Sequence, residues 1–142
     1  MPMQGALNDP KQLEKVLAHE FTHTLVKNLS PRGAPVWLDE GLAVVFEAGD
    51  LTWAERVVRQ APAAIPLPQL HHGFLNLPPE QVPLAYAESA LAVRMLIERG
   101  GALSVATLLR DLAEGQDFAT AFERRFHLSY GDFQVTWEGR AR

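Results

Sequence analysis

Apolar positions recur every three to four residues along most of this chain, and nowhere do they alternate as a half-buried strand requires. Leu13, Leu17, Phe21 and Leu25 step along one side of a first helix and are expected to pack against the rest of the protein. Asp9 suits its N-cap, Pro10 its first helical position and Gln12 the return half of a capping box. This helix is expected to run to about Asn28, where Leu29 to Pro35 interrupts the period with proline and glycine. A second helix is predicted from Val36 to Ala48, with Gly49 as its stop. Thr52-Trp53-Ala54-Glu55 reads as another capping box, opening a short helix to about Gln60.

The stretch from Ala61 to Pro83 holds six of the ten prolines and has no sustained period, so an irregular segment is expected, with a turn of helix at Pro68 to His71. A strong helix follows from about Leu84 to Arg99, with Leu84, Leu91 and Met95 as its core stripe and Gly100-Gly101 as its end. Another spans Ala102 to Ala113 and is closed by Gly115. Asp117 caps a helix through Phe126, and Ser129 with Asp132 caps a last one to about Trp137. Trp37, Trp53 and Trp137 read as anchors between helices. The expected fold is mainly α, a single domain over residues 1–142, and a chain of this length buries about 70% of its unfolded surface.

Composition narrows the chemistry. A net charge of -4 gives no electrostatic reason to bind nucleic acid or an anionic membrane. No run of about 18 apolar residues is present, and Met1 to Gly5 lacks the features of a signal peptide. A soluble chain is expected, either cytoplasmic or a core excised from a longer exported protein. Cysteine is absent, so any bound metal must be held by histidine and carboxylate.

Such a site is suggested by His19-Glu20-Phe21-Thr22-His23. Residues four apart lie above one another on a helix, so both imidazoles can reach one ion while Glu20 sits beside them. Glu40 follows His23 after sixteen residues, enough for one helix to end and a second to return past the metal. Gly41 beside it has no side chain, which would let these two helices approach closely. Asp39 is the alternative carboxylate, about 100° away on the same helix, and is better suited to orienting a histidine or to the surface. Glu47, two turns beyond Glu40, could likewise orient a histidine or equally stand as a plain surface carboxylate. His71, His72 and His127 read as solvent-exposed.

These segments, together with Trp37-Leu38-Asp39-Glu40-Gly41-Leu42-Ala43 and Ala85-Tyr86-Ala87-Glu88-Ser89, resemble the gluzincin metallopeptidases of the peptidase MA-like type. The resemblance implies a zincin-like helical catalytic core and a zinc-dependent peptidase acting on peptides or proteins. It implies His19, His23 and Glu40 as zinc ligands, Glu20 as general base, and Tyr86 as donor to the developing oxyanion. Gluzincins usually carry a mixed β-sheet ahead of the active-site helix, and here only nine residues precede it. The sheet is therefore expected to be missing, leaving an apolar strip of the first helix exposed and favouring a homo-oligomer or a partner. A zinc-binding interaction domain without catalysis is the competing reading.

Overall fold

A computed structural model describes residues 10–141, and among them it is mainly α-helical with no strand. Six helices follow in order: α1 (Pro10–Leu29), α2 (Val36–Glu47), α3 (Thr52–Gln60), α4 (Val82–Ala113), α5 (Phe118–Phe126) and α6 (Tyr130–Ala141). Asp9, the expected first cap, and Met1 to Gly5 lie outside the described residues. No helix among the described residues is long and apolar enough to cross a membrane.

The long α4 is the axis on which the others pack, because its first half is apolar on nearly every side: Leu84, Ala85, Ala87, Ala90, Leu91, Ala92, Val93 and Leu96 are all buried. It is two helices joined at Gly101, whose φ of 82° and ψ of 164° leave the helical region. A left-handed φ of this kind costs glycine little, which is why the Gly100-Gly101 pair ends the first half as expected. On the other side of the core, Trp37, Phe118, Phe122, Tyr130 and Phe133 form an aromatic cluster that joins the start of α2 to α5 and α6. The Trp37 indole N–H donates to the Tyr130 hydroxyl at 2.8 Å, so this large buried ring keeps a partner for its one polar atom.

The proline-rich stretch is ordered by side chains that accept its backbone donors. Ile65 N–H donates to Glu88 Oε1 at 2.7 Å and Leu67 N–H to Gln134 Oε1 at 2.9 Å, pinning the segment to α4 and α6. Short 3-10 turns form at Leu67–Leu70 and Pro79–Gln81, the first displaced by one residue from the expected position. The His71 carbonyl then accepts from Val36 N–H at 2.8 Å, tying this segment to the start of α2.

Several local expectations change. The helix at Thr52 is not opened by a Thr52/Glu55 capping box: Asp50 Oδ1 accepts from both the backbone N–H (2.8 Å) and the hydroxyl (2.6 Å) of Thr52. A carboxylate two residues upstream reaches these donors before the threonine's own hydroxyl can act as an acceptor. His71 is half-buried against Phe118, and burial followed by neighbouring His72 lowers its pKa. His72 and His127 are exposed, and His127 ends α5 in the left-handed region at φ 57°. The Asp117 and Ser129 caps form as expected, accepting from Thr120 N–H and Asp132 N–H.

The second apolar side of α1 is not packed: Leu17, Phe21 and Leu25 are largely exposed, Phe21 at 68%. The helix buries the opposite side instead, through Thr22 and Val26, against α2 and α4. Among the described residues no strand or helix covers the Leu17, Phe21 and Leu25 strip.

In the second half of α4, buried Asp111 receives two hydrogen bonds from the Arg125 guanidinium, at 2.6 and 2.9 Å. These bonds, opposed by burial, hold its carboxyl below its ordinary value. The folded pKa thus lies below the unfolded one, so the stabilisation is complete above about pH 4 and drains away as pH falls through the lower folded value. Asp111→Asn is expected to lower Tm near neutral pH, and the gap to wild type should close as pH falls toward about 2. Thermal melts of both proteins across that range check it.

Candidate metal centre

The site lies where α1 crosses α2. His19 and His23, one turn apart on α1, present their rings to α2 with centroids 4.7 Å apart in an edge-on arrangement. The α2 helix answers with three carboxylates. Glu47 Oε2 lies 2.7 Å from His19 Nδ1, Asp39 Oδ1 lies 2.8 Å from His23 Nδ1, and Glu40 Oε2 lies 3.5 Å from His23 Nε2. Asp39 and Glu47 therefore sit where sequence spacing placed them, each beside a different imidazole.

In the neutral tautomer in which each Nδ1 donates to its carboxylate, each Nε2 carries a bare lone pair. Those two Nε2 atoms face one another at 3.0 Å. Two acceptors at that separation repel unless a proton or cation lies between them. The arrangement thus suits a positive ion, and Glu40 adds a third donor from the neighbouring helix. One ligand atom from each of His19, His23 and Glu40 lies within 4.8 Å of the others, and the three could hold a metal ion.

Glu40 is half-buried, and its pKa is raised first by that burial; the nearby imidazoles pull it down while Asp39 and Glu20 push it up. A cation beside it would relieve both the burial and the repulsion. Glu20 is exposed, rotated about 100° from His19 on α1, between the imidazoles and the apolar strip. Tyr86 on α4 is half-buried, its ring edge-on to Phe74 with centroids 5.0 Å apart. Burial and then the Glu40 charge raise the pKa of its phenol, which keeps the hydroxyl a proton donor at neutral pH.

Gly41 has a different partner from the one expected. A Cβ built there would stand 2.3 Å from the Ser89 carbonyl oxygen and 2.5 Å from Val93 Cγ2, both on α4. The glycine lets α2 lie against the backbone of α4, not against α1. Trp53 also departs from expectation: Trp37 and Trp137 are fully buried anchors, but Trp53 is 38% exposed and lines a cavity beside His19. The sequence carried a signal for this, because α3 buries Ala54 and Val58, and Trp53 is rotated about 100° from that stripe.

The fold and site together define a mainly helical protein with a His/His/Glu group at a helix crossing, suited to a metal ion. The family model of the Peptidase MA superfamily matches residues 11–140, and the chain belongs to that superfamily. Membership suggests peptides or proteins as the substrate class. Comparison with curated proteins and with solved structures finds no significant match.

Because the Ser89 carbonyl is backbone and cannot swing aside, Gly41→Ala should force α2 away from α4. It is expected to cost about 1–3 kcal/mol of stability. Chemical denaturation checks this, and a Gly41→Ala protein as stable as wild type would contradict the packing described.

Proposed function

We propose that this chain is a zinc-dependent peptidase of gluzincin type. The observation that carries the reading is the facing pair of Nε2 atoms, 3.0 Å apart and each backed by a carboxylate on Nδ1. His19, His23 and Glu40 would hold the ion, a two-imidazole, one-carboxylate donor set that suits zinc and leaves a fourth position open. When bound, zinc supplies Lewis acidity, lowering the pKa of a water toward roughly 7 and polarising a carbonyl.

The remaining roles fall to the chain's own groups. Glu47 and Asp39 hold the two imidazoles in the tautomer whose Nε2 is free. The Glu20 carboxylate takes a proton from the attacking water and returns it to the leaving amine. The Tyr86 phenol, protonated at neutral pH like any phenol and shifted further that way by burial and the Glu40 charge, donates to the oxygen of the attacked carbonyl as negative charge develops there.

One observation favours a second reading, a zinc-binding interaction domain without catalysis. The exposed strip of Leu17, Phe21 and Leu25 lies next to Glu20 and offers an apolar surface to a second copy or another protein.

Two measurements separate these readings. Zinc content should be one per chain, falling to near zero in His23→Ala, while Glu47→Gln and Asp39→Asn weaken affinity about 10–100-fold. Loss of metal in Asp39→Ala with retention in Glu40→Ala would overturn the ligand assignment.

Glu20→Gln keeps volume and both imidazoles, so it should bind zinc normally while peptide hydrolysis falls by at least about 10²-fold. Equal cleavage by wild type and Glu20→Gln excludes the mechanism. Full zinc loading with no cleavage of a broad peptide library by either protein selects the interaction domain.

A further inference from the structure

Beside the metal group, a cavity of about 680 Å³ opens between α1, α2, α3 and the start of α4. That volume lies within the roughly 300–1,000 Å³ range of small-ligand sites. His19 and Tyr86 both line it, so the cavity borders groups proposed for the reaction. Val44, Ala48 and the Trp53 indole make up the apolar part of its lining.

Its charged groups are largely committed elsewhere. Glu47 is bound to His19 Nδ1, and Asp50 accepts twice from Thr52, which lowers its pKa and keeps it ionised. Lys15 lines the cavity as well. The lining thus carries two negative charges against one positive, together with the Trp53 indole and the side chains of Val44 and Ala48.

Resting on the peptidase reading above, we infer that this cavity is a specificity pocket for a large apolar side chain, aromatic foremost, flanking the scissile bond. Trp53 is its specificity-determining residue. An aromatic side chain entering the cavity would lie against the indole and shed its water, gaining both area and ring–ring contact. An aspartate or glutamate would meet the two carboxylates of Glu47 and Asp50 against the single Lys15 ammonium, and would lose its hydration to a net negative lining. The exposure of Trp53 in an otherwise well-buried set of tryptophans is then what the pocket needs of it.

The test uses the full chain loaded with zinc. In a peptide-library cleavage profile, aromatic and large aliphatic residues should be enriched at one position next to the cut, at least roughly tenfold over aspartate and glutamate. Trp53→Ala should lose roughly tenfold in kcat/KM on aromatic substrates but little on alanine-bearing ones, with zinc content unchanged, and Trp53→Phe should restore most of the difference. A flat profile, or an aromatic preference that survives in Trp53→Ala, overturns the pocket while leaving the peptidase reading intact.

A second readout is independent of turnover. Trp37 and Trp137 are fully buried, so acrylamide quenching of tryptophan fluorescence reports chiefly on Trp53. N-acetylphenylalanine amide should protect it and N-acetylaspartate amide should not. Protection without any cleavage keeps the pocket and rejects the peptidase, whereas no protection by the phenylalanine amide overturns the pocket.

Discussion

The approach of α2 to α4 at Gly41 is the constraint from which the site follows. Only a residue without a side chain can place its Cα against the Ser89 carbonyl, and Gly41 is immediately followed and preceded by the residues that matter most. Leu42 and Ala43 go into the core, while Glu40 and Asp39 are turned outward to α1. With Trp37 locked into the aromatic cluster, α2 is held at its start by stacking and at its middle by backbone contact. Its rotation about its own axis is therefore fixed, and so is the direction in which its carboxylates point.

Orientation of the imidazoles is a consequence of that rotation. Glu40 and Glu47 are seven residues apart, two turns of helix, so they emerge on one face. Asp39 stands beside them and takes the other histidine. Two rings that would otherwise turn freely are each fastened at Nδ1, and their remaining nitrogens converge. The energetic sense of this is asymmetric: the hydrogen bonds at Nδ1 are favourable, and the convergence at Nε2 is unfavourable without a cation.

Much of this was legible in the sequence because it depends on spacing along helices. The His19/His23 pair, Glu40 as partner, Asp39 and Glu47 as candidate orienting groups, and the break at Gly101 all follow from a 3.6-residue period or from glycine's conformational range. Features that depend on which element lies across from which were not legible. Leu17, Phe21 and Leu25 have the spacing of a packing face, and the expectation of an exposed strip on this helix came from the resemblance and not from that spacing. Gly41 signalled a close approach without naming the partner. Trp53 looked like a third anchor because large aromatics usually are, and its one-residue offset from Ala54 and Val58 was the only local sign against it. At the start of α3 the sequence pattern pointed only to the Thr52/Glu55 pair, and Asp50 as the acceptor of the Thr52 donors was not foreseen.

The one-sided packing of α1 bears on how the molecule opens. With buried contacts at Thr22 and Val26 and a solvent-facing apolar strip behind them, α1 has less hydrophobic anchorage than α2 or the first half of α4. Local unfolding free energies track such anchorage, so in the absence of a cation the amides of α1 would exchange with solvent sooner than those of α2 or the first half of α4. An ion gripped by two residues of α1 and one of α2 would act as a rivet between a weakly anchored helix and one of the best-held. Its binding energy would be stored largely as cohesion of α1, and that helix would report on metal availability through its own order.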